Sequence, residues 1–262
     1  MSRVADGTNY LKVDMGDTFW PLVADDYISI TFWYHKNSES TWSQFDTWLA
    51  VHHNSIDSAQ IYVDQKSTPS NRMYANTAGN DENIEFGGSD ILDSDWNFFH
   101  GYVRYDGADM GAHVNLGTYA LNAIDIGGWT NEYVRYLNVF TKAAGTAIQS
   151  KHKISCIALW DVKLSTSMLA ALYNDKDNPR TVHDTYGGLR CLFLDENLYS
   201  GGTEEYTCPL TGYSLVEQVS STAYDAGEPG ISAYGGGGGD TRTYAPLVGI
   251  QSGNEGFNGL IR

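Results

Sequence analysis

The sequence DENIEF at residues 81–86 contains two carboxylates, Glu82 and Glu85, that could act together in acid–base chemistry. Enzymes that hydrolyse glycosides flank the bond with two carboxyl groups, which retaining enzymes hold about 5–5.5 Å apart. Successive side chains of a β-strand point to opposite faces, so residues three positions apart do not share a face. The sequence also has no GxSxG, HExxH or P-loop pattern. We therefore expect no enzymatic activity.

Three aspartates in predicted turns, Asp93, Asp95 and Asp106, offer the oxygen ligands that Ca²⁺ prefers. Aspartate is also frequent in solvated turns that bind nothing, so we expect no cofactor, with a calcium ion at the rim of the fold as the alternative. His52 and His53 would diverge on a strand, which makes them poor co-ligands of a metal. We expect them to form an ordinary pair at the rim.

The three cysteines, Cys156, Cys191 and Cys208, are widely spaced and odd in number. They form neither a disulfide framework nor a CxxC metal site, so we expect buried thiols. The first residues, MSRVADGTNY, lack the apolar segment of a signal peptide. Both observations predict synthesis in a reducing cytoplasm without the usual route of export.

The chain of 262 residues carries 32 acidic and 16 basic residues, a formal net charge of −16. Such a charge repels phosphate backbones and anionic lipid surfaces, so we expect neither nucleic acid nor a membrane as a partner. No run of 18 apolar residues occurs.

The elements that position these side chains are predicted to be strands. In YISITFWYHK the residues Ile28, Ile30, Phe32 and Tyr34 share one face, which is the pattern of a half-buried strand. The segments LKVDM, AQIYVDQ, NIEF and FFHGYVRY repeat it, and the turn signals SNR, NTAGNDEN, YDGAD and GGWTNE separate them. Many short strands at regular spacing predict an all-β sandwich or barrel.

The segment ISCIALWDVKLSTSMLAALYND changes from a strand pattern, apolar on both faces, to a helical pattern. Ser165 is a good N-cap, and Leu164 is placed to pack on Leu169. The apolar face of the helix consists of Met168, Leu169 and Leu172. We predict one short helix near residues 165–174, which Asn174 and the DKDNP run terminate.

This segment resembles the closing strand and helix of laminin-G-like and concanavalin-A-like jelly rolls, G-x-I-D-x-h-x-h-W/Y-x-x-x-L-S-x-x-E-h-x-x-L-Y. The matching residues are Ile154, Trp160, Leu164, Ser165, Leu169, Leu172 and Tyr173. The strands ISITFWYHK, WNFFHGYVRYDG, IDIGG and CLFLDEN also resemble strands of that family, so the resemblance covers roughly residues 5–200. Asn97, Cys156 and Met168 depart from the pattern, which prevents a wholesale transfer of functional residues.

The resemblance implies a two-sheet antiparallel jelly-roll sandwich and glycan binding by aromatic and polar side chains of loops. Trp42 in NSESTWSQF and Trp129 in IGGWTNEY lie in polar turns, and Asn131 and Glu132 stand beside the second. An exposed loop tryptophan is a common contact for a ligand. We predict these four residues as the glycan-binding site, with burial of either tryptophan under a loop as the alternative.

Residues 201–262 hold 14 of the 28 glycines, including the run 235–239. The apolar periodicity fades there, which is typical of an extended arm. We therefore predict a jelly roll at residues 1–200 and a glycine-rich assembly arm at 201–262. The apolar residues of the arm expected to contact neighbouring subunits are Tyr244, Leu247, Val248, Ile250, Phe257, Leu260 and Ile261.

Modules of the resembled family usually work outside cells, whereas this sequence predicts synthesis in a cytoplasm. The parts of a bacteriophage particle meet both conditions, because lysis releases them. We predict a non-enzymatic structural protein of the virion, a capsid decoration or tail component that forms homo-oligomers and contacts other virion proteins. The alternative is a lectin-like module for host-surface glycans, and the third hypothesis is a glycan-cleaving enzyme.

Overall fold

The structure is a computed structural model. It describes residues 2–4, 11–16, 20–21, 26–35, 47–52, 60–67, 70–77, 80–87, 92, 95–104, 109–122, 133–141, 153–193, 205–207, 214–217 and 223–225. Within these ranges the chain forms strands and two short helices, which confirms the predicted all-β fold.

The described strands, in chain order, are β1 (Ser2–Val4), β2 (Leu11–Asp14), β3 (Trp20–Pro21), β4 (Tyr27–His35), β5 (Thr47–His52), β6 (Gln60–Ser67), β7 (Ser70–Thr77), β8 (Asn80–Phe86), β9 (Trp96–Arg104), β10 (Met110–Val114), β11 (Ala120–Asn122), β12 (Tyr133–Val134), β13 (Tyr136–Val139), β14 (Lys153–Trp160), β15 (Leu189–Phe193), β16 (Glu205–Thr207), β17 (Ser214–Glu217) and β18 (Ala223–Asp225). The two helices are α1 (Thr166–Tyr173) and α2 (Pro179–Tyr186).

Two antiparallel sheets contain most of these strands. Sheet A has the order β11-β10-β9-β4-β14-β1-β18, and β15 also pairs with β14. Sheet B has the order β16-β17-β2-β13-β5-β6-β7-β8, and β12 and β3 form a separate small ribbon. Some neighbouring strands are distant in sequence, as the pairing of β4 with β9 and β14 shows, whereas β5 to β8 are neighbours in chain order. This two-sheet antiparallel topology is the predicted jelly-roll sandwich.

The core lies between the facing sides of the two sheets. Phe86 of sheet B packs on Phe99 of sheet A with ring centroids 5.1 Å apart, and Tyr34 packs on Trp48 at 4.6 Å. The buried amide of Asn71 donates a hydrogen bond of 2.9 Å to the Tyr34 hydroxyl, so it also bridges the sheets. Aromatic contacts of this kind contribute beyond the apolar area that they bury.

Strand β4 is buried on both faces, so the prediction of a half-buried strand was wrong. The chain from β14 to α1 covers its outer face. Trp160 donates a hydrogen bond of 3.1 Å from Nε1 to Thr31 Oγ1, and Trp33 stacks on Tyr173 of α1 at 5.8 Å. The alternation of apolar and polar residues in β4 did not reveal that its outer face is covered. The covering residues lie more than 120 positions away in the sequence.

The predicted helix is confirmed as α1. Ser165 accepts a hydrogen bond from the backbone N–H of Met168 through its hydroxyl, and Asn174 is the C-cap. The apolar face is buried at Met168, Leu169 and Leu172. Packing of this face, rather than intrinsic propensity, stabilises so short a helix.

The prediction of a single helix was wrong, because α2 follows five residues after α1. The Asn178-Pro179 pair was interpreted as a helix stop. In the structure Asn178 is the N-cap of α2 and accepts a hydrogen bond from the N–H of Arg180, and Pro179 is the first helical residue. Proline is favourable there because its fixed φ suits the helix and no hydrogen bond to its nitrogen is lost.

Strand β14 is buried along nearly its whole length, as its apolar residues on both faces predicted. A bulge between Ser155 and Ala158 shifts its register against β4, and Cys156 has a φ of +49° there. Cys156 and Cys191 are buried free thiols, which confirms the expectation for two of the three cysteines. Cys208 lies outside the described residues.

The strands after residue 200 belong to the sandwich. β17 pairs with β2 in sheet B, and β18 pairs with β1 in sheet A. Strand pairing thus continues through residue 225, into the segment predicted as an arm. The apolar arm residues from Tyr244 to Ile261 lie outside the described residues, and their contact with neighbouring subunits stays a prediction.

Candidate functional site

The predicted glycan-binding residues, Trp42, Trp129, Asn131 and Glu132, all lie outside the described residues. Their role therefore stays a prediction. The predicted calcium ligands Asp93 and Asp106 lie outside as well, whereas Asp95 is exposed and accepts a hydrogen bond from the N–H of Trp96.

No group of three His, Cys, Asp or Glu side chains within the described ranges is arranged to hold a metal. Each described helix has only eight residues, so neither is long and apolar enough to cross a bilayer.

Positions 82 and 85 of β8 lie on opposite faces of the strand, as their spacing of three residues predicted. Position 82 aligns with Ala75, in a row of core residues, whereas position 85 aligns with Arg72. Glu85 is exposed on the face of sheet B that points away from the core. The two positions are on opposite faces, so they do not form a pair flanking one glycosidic bond.

The outward face of sheet B carries polar and aromatic residues in rows across β6, β7 and β8. Cross-strand register aligns Asp64 with Arg72 and Glu85, and Tyr62 with Tyr74 and Asn83. Directly opposed residues lie close enough for their side chains to interact. We call Asp64, Arg72, Glu85, Tyr62 and Tyr74 the tyrosine–arginine patch.

A bidentate ion pair lies at the centre of this patch. Arg72 donates from Nε to Asp64 Oδ1 at 2.9 Å and from Nη2 to Asp64 Oδ2 at 2.6 Å. The Asp64 side chain is fully buried and the Arg72 side chain is 13% exposed. The hydrogen bonds that Arg72 donates to Asp64 raise the pKa of Arg72 above its usual range. A paired guanidinium of this kind is held in one orientation.

The two tyrosines of the patch are stacked. Tyr62 and Tyr74 have ring centroids 4.5 Å apart and an interplanar angle of 24°. The Arg72 guanidinium lies 5.9 Å from the Tyr62 ring and 5.5 Å from the Tyr74 ring, within the range of cation–π attraction. Tyr62 is buried and Tyr74 is partly exposed, so Tyr74 is the aromatic surface that a ligand can reach.

A second aromatic group lies on the same face of sheet B, toward β2. His52 stacks on Tyr136 at 5.0 Å, and the guanidinium of Arg135 lies 4.8 Å from the Tyr136 ring. Arg135 also donates two hydrogen bonds to Asp14, which lower the pKa of that carboxyl. His52 is the last residue of β5 and is 1% exposed, whereas His53 lies outside the described residues, so the rim pair stays a prediction.

Sequence reasoning missed the tyrosine–arginine patch for an identifiable reason. SNR, residues 70–72, was interpreted as a turn, but these residues begin β7. Ser67 pairs with Ser70, so Arg72 is a strand residue opposite Asp64. The alternation of Tyr62 with Ile61 and Val63 was visible, yet the match between Asp64 and Arg72 depends on the hairpin register.

The outward face of sheet A carries a different polar cluster. His100 and His113 are directly opposed, with His100 Nδ1 3.1 Å from His113 Nε2 and 2.8 Å from the Tyr119 hydroxyl. Lys163 pairs with Asp109 at 2.8 Å and lies 4.1 Å from the Tyr102 ring. Burial lowers the pKa of His113 to about 4 and, as the largest cause, holds that of His100 well below its usual range. Both histidines are buried, which separates them from any surface ligand.

Solved structures share this architecture at low sequence identity. A proposed carbohydrate-binding protein from Bacteroides ovatus superposes with a TM-score of 0.54 at 11% identity, over 82% of this chain and 57% of that protein. A heptameric SAP-like pentraxin from Limulus polyphemus gives 0.48 at 11% identity, over 66% and 80% of the two chains.

The CBM40 domain of a Ruminococcus gnavus IT-sialidase, bound to α2,3-sialyllactose, gives a TM-score of 0.48 at 12% identity, over 65% of this chain and 95% of that domain. No protein-family model matches the chain, and no curated protein matches it. At these identities the Bacteroides ovatus protein supports the concanavalin-A-like jelly-roll fold and nothing finer.

Proposed function

We propose that this protein is a carbohydrate-binding module and that the outward face of sheet B is its binding surface. The observation that carries the proposal is the tyrosine–arginine patch, which combines the partly exposed Tyr74 ring with an oriented guanidinium and an exposed carboxylate, Glu85. The predicted lectin-like alternative thereby becomes the main hypothesis. The description of the Bacteroides ovatus protein agrees with it through the shared fold alone.

The chemistry of the patch suits a sugar. A pyranose has one apolar face, which packs on an aromatic ring, and a periphery of hydroxyls that donate and accept hydrogen bonds. Tyr74 offers the ring, Glu85 offers an acceptor, and Asn83 in the same rows offers a donor and an acceptor. Because Asp64 holds Arg72 in place and Tyr62 stacks on Tyr74, a ligand would meet a surface that is already ordered.

A glycan array tests the proposal with the full chain and its Tyr74→Ala variant. We expect the wild-type protein to bind a defined set of glycans and the variant to lose at least tenfold in affinity, since it loses the stacking surface. Tyr186→Ala is the matched control, because Tyr186 is also an exposed tyrosine, 51% exposed on α2. Thermal melting of each variant shows that it is folded.

The array also distinguishes glycan binding at this surface from binding at the predicted loops. If Trp42→Ala or Trp129→Ala abolishes binding while Tyr74→Ala retains it, the binding site lies in the loops and the patch is excluded. If the wild-type protein binds no glycan of a broad array, carbohydrate binding itself is refuted.

The position of the protein in a bacteriophage particle stays a prediction, as do its homo-oligomeric state and its other virion partners. None of the three solved structures named above is a bacteriophage protein. The expected absence of enzymatic activity stays a prediction as well, although positions 82 and 85 do not form a catalytic pair.

A further inference from the structure

We infer that the sugar that stacks on Tyr74 stands on edge above Asn83, and that Asn83 selects a pyranose with two adjacent unsubstituted hydroxyl groups. This inference rests on the proposed function, and it names the residue and the feature of the sugar that decide which glycans are bound. It follows from the row that Tyr62, Tyr74 and Asn83 form on three neighbouring strands.

The first observation is the orientation of the two tyrosine rings. Tyr62 and Tyr74 are directly opposed on β6 and β7, and their stacked rings have centroids 4.5 Å apart. Neighbouring strands lie about 4.7–4.9 Å apart. Because the separation of the rings nearly equals that of the strands, the rings stand upright on the sheet and face each other across the strands. Rings that lay flat on the sheet would not stack on each other.

The second observation is which face of the Tyr74 ring a sugar can reach. Tyr62 covers the face toward β6, and Tyr62 itself is only 6% exposed. Tyr74 is partly exposed, and its other face is turned toward β8, the last strand of sheet B in the described part of the chain. A pyranose stacked on that face therefore lies beside Tyr74 and above β8, with its ring nearly perpendicular to the sheet.

The third observation is the residue beneath this position. Asn83 lies opposite Tyr74 in the register of β7 and β8, and it is exposed. The row of aromatic rings thus ends at a short polar side chain, which leaves room for a sugar where a third ring would fill the space. A pyranose that stands upright there turns one edge of its ring toward the amide of Asn83. Hydroxyl groups on adjacent ring carbons project from that edge.

The chemistry of the amide gives the selectivity. A carboxamide presents an acceptor oxygen and an NH₂ donor side by side. The oxygen of Asn83 accepts a hydrogen bond from one hydroxyl while its NH₂ group donates to the adjacent one, so both bonds form only with a neighbouring pair. Replacing either hydroxyl by hydrogen removes one of these bonds and leaves part of the amide without its partner in the complex.

The experiment uses the full chain and measures affinities by calorimetry. The probes are α- and β-linked tetrasaccharides of glucose, galactose and mannose, with derivatives in which a single hydroxyl is replaced by hydrogen. We expect Asn83→Ala to weaken binding of the best tetrasaccharide by about tenfold, since two hydrogen bonds are lost. Asn174→Ala is the matched control, because Asn174 is an exposed asparagine at the end of α1, and its capping hydrogen bond comes from the backbone N–H.

The single-hydroxyl derivatives test the contact itself. Two of them, which lack neighbouring hydroxyls, should bind the wild-type protein about threefold more weakly than the parent tetrasaccharide. In Asn83→Ala the same two derivatives should bind as well as the parent, because the partner of those hydroxyls is gone. Thermal melting confirms that each variant is folded.

Each outcome has a separate meaning. If Tyr74→Ala loses binding while Asn83→Ala binds like the wild-type protein, the inference is overturned and the proposed function remains. If the derivatives lose as much affinity in Asn83→Ala as in the wild-type protein, Asn83 does not recognise those hydroxyls, and the inference is again overturned. If the wild-type protein binds no glycan of the broad array, the proposed function is refuted, and the inference with it.

Discussion

His100 and His113 show how two buried residues set the acid stability of the sandwich. Their rings face each other across β9 and β10, with Tyr119 and Tyr102 around them and the charge of Lys163 nearby. Burial disfavours the charged imidazolium, which is why the pKa values of both histidines are lowered. In the unfolded chain a histidine titrates near pH 6.5.

We therefore predict that stability falls as the pH falls below 6.5, because the unfolded state then binds protons that the folded state does not. With a folded pKa of about 4, His113 alone accounts for a loss of about 2 kcal/mol between pH 7 and pH 5. Urea unfolding at pH 7 and at pH 5 measures this loss of stability. His113→Gln is expected to lose about 2 kcal/mol less over this interval than the wild-type protein.

The control for this prediction is the interval from pH 7.5 to pH 8.5, where histidine is almost entirely neutral in both states. Wild type and His113→Gln should keep a constant difference in stability there. An equal acid dependence of the two proteins between pH 7 and pH 5 would show that His113 does not contribute to it.

At the scale of elements, the spacing between the two sheets depends on a glycine. Gly101 of β9 faces sheet B, and a Cβ at this position would lie 2.5 Å from Met73 Sδ and 2.6 Å from Phe99 Cζ. Real side chains do not approach so closely, so β9 approaches β7 only because residue 101 has no side chain.

We predict that Gly101→Ala destabilises the protein by about 1–3 kcal/mol through overpacking of the core. Urea unfolding of Gly101→Ala, Met73→Ala and the double variant measures the effect. The double variant should be less destabilised than the sum of the single changes, because Met73→Ala removes one of the two clashing side chains. Additive effects would place the strain somewhere other than this contact.

At the scale of the whole molecule, the chain after residue 200 has two parts. β17 and β18 add strands to sheets B and A, so these two strands cover the edges formed by β2 and β1. Residues 228–262 contain all seven apolar residues predicted for assembly. Loss of the first part would expose unpaired edges of both sheets, which destabilises a sandwich and favours aggregation.

Two truncations test this division. A chain ending at residue 227 keeps all the described strands, and we expect it to melt near the full-length Tm and to become a monomer, because the assembly arm is absent. A chain ending at residue 204 should melt lower by roughly 10 °C. Differential scanning calorimetry and light scattering measure both. A 1–227 chain with the full-length oligomeric mass would rule out the arm as the assembly element.

The sequence by itself determined those features that depend on neighbours within a few positions. The alternation of Val13 and Met15 predicted β2, and Ser165 followed by the apolar stripe of α1 predicted a capped helix. The family pattern around Trp160 then indicated the sandwich, because that pattern combines a buried strand with the helix that covers it.

Only the tertiary structure decided what lies opposite each residue. The pairing of Asp64 with Arg72 and the stacking of Tyr62 on Tyr74 follow from one register of the β6–β7 hairpin, and a shift by one residue would turn these side chains into the core. The burial of Thr31 depends on Trp160, 129 positions later. Register and covering layers result from the packing of the whole chain, which local periodicity does not encode.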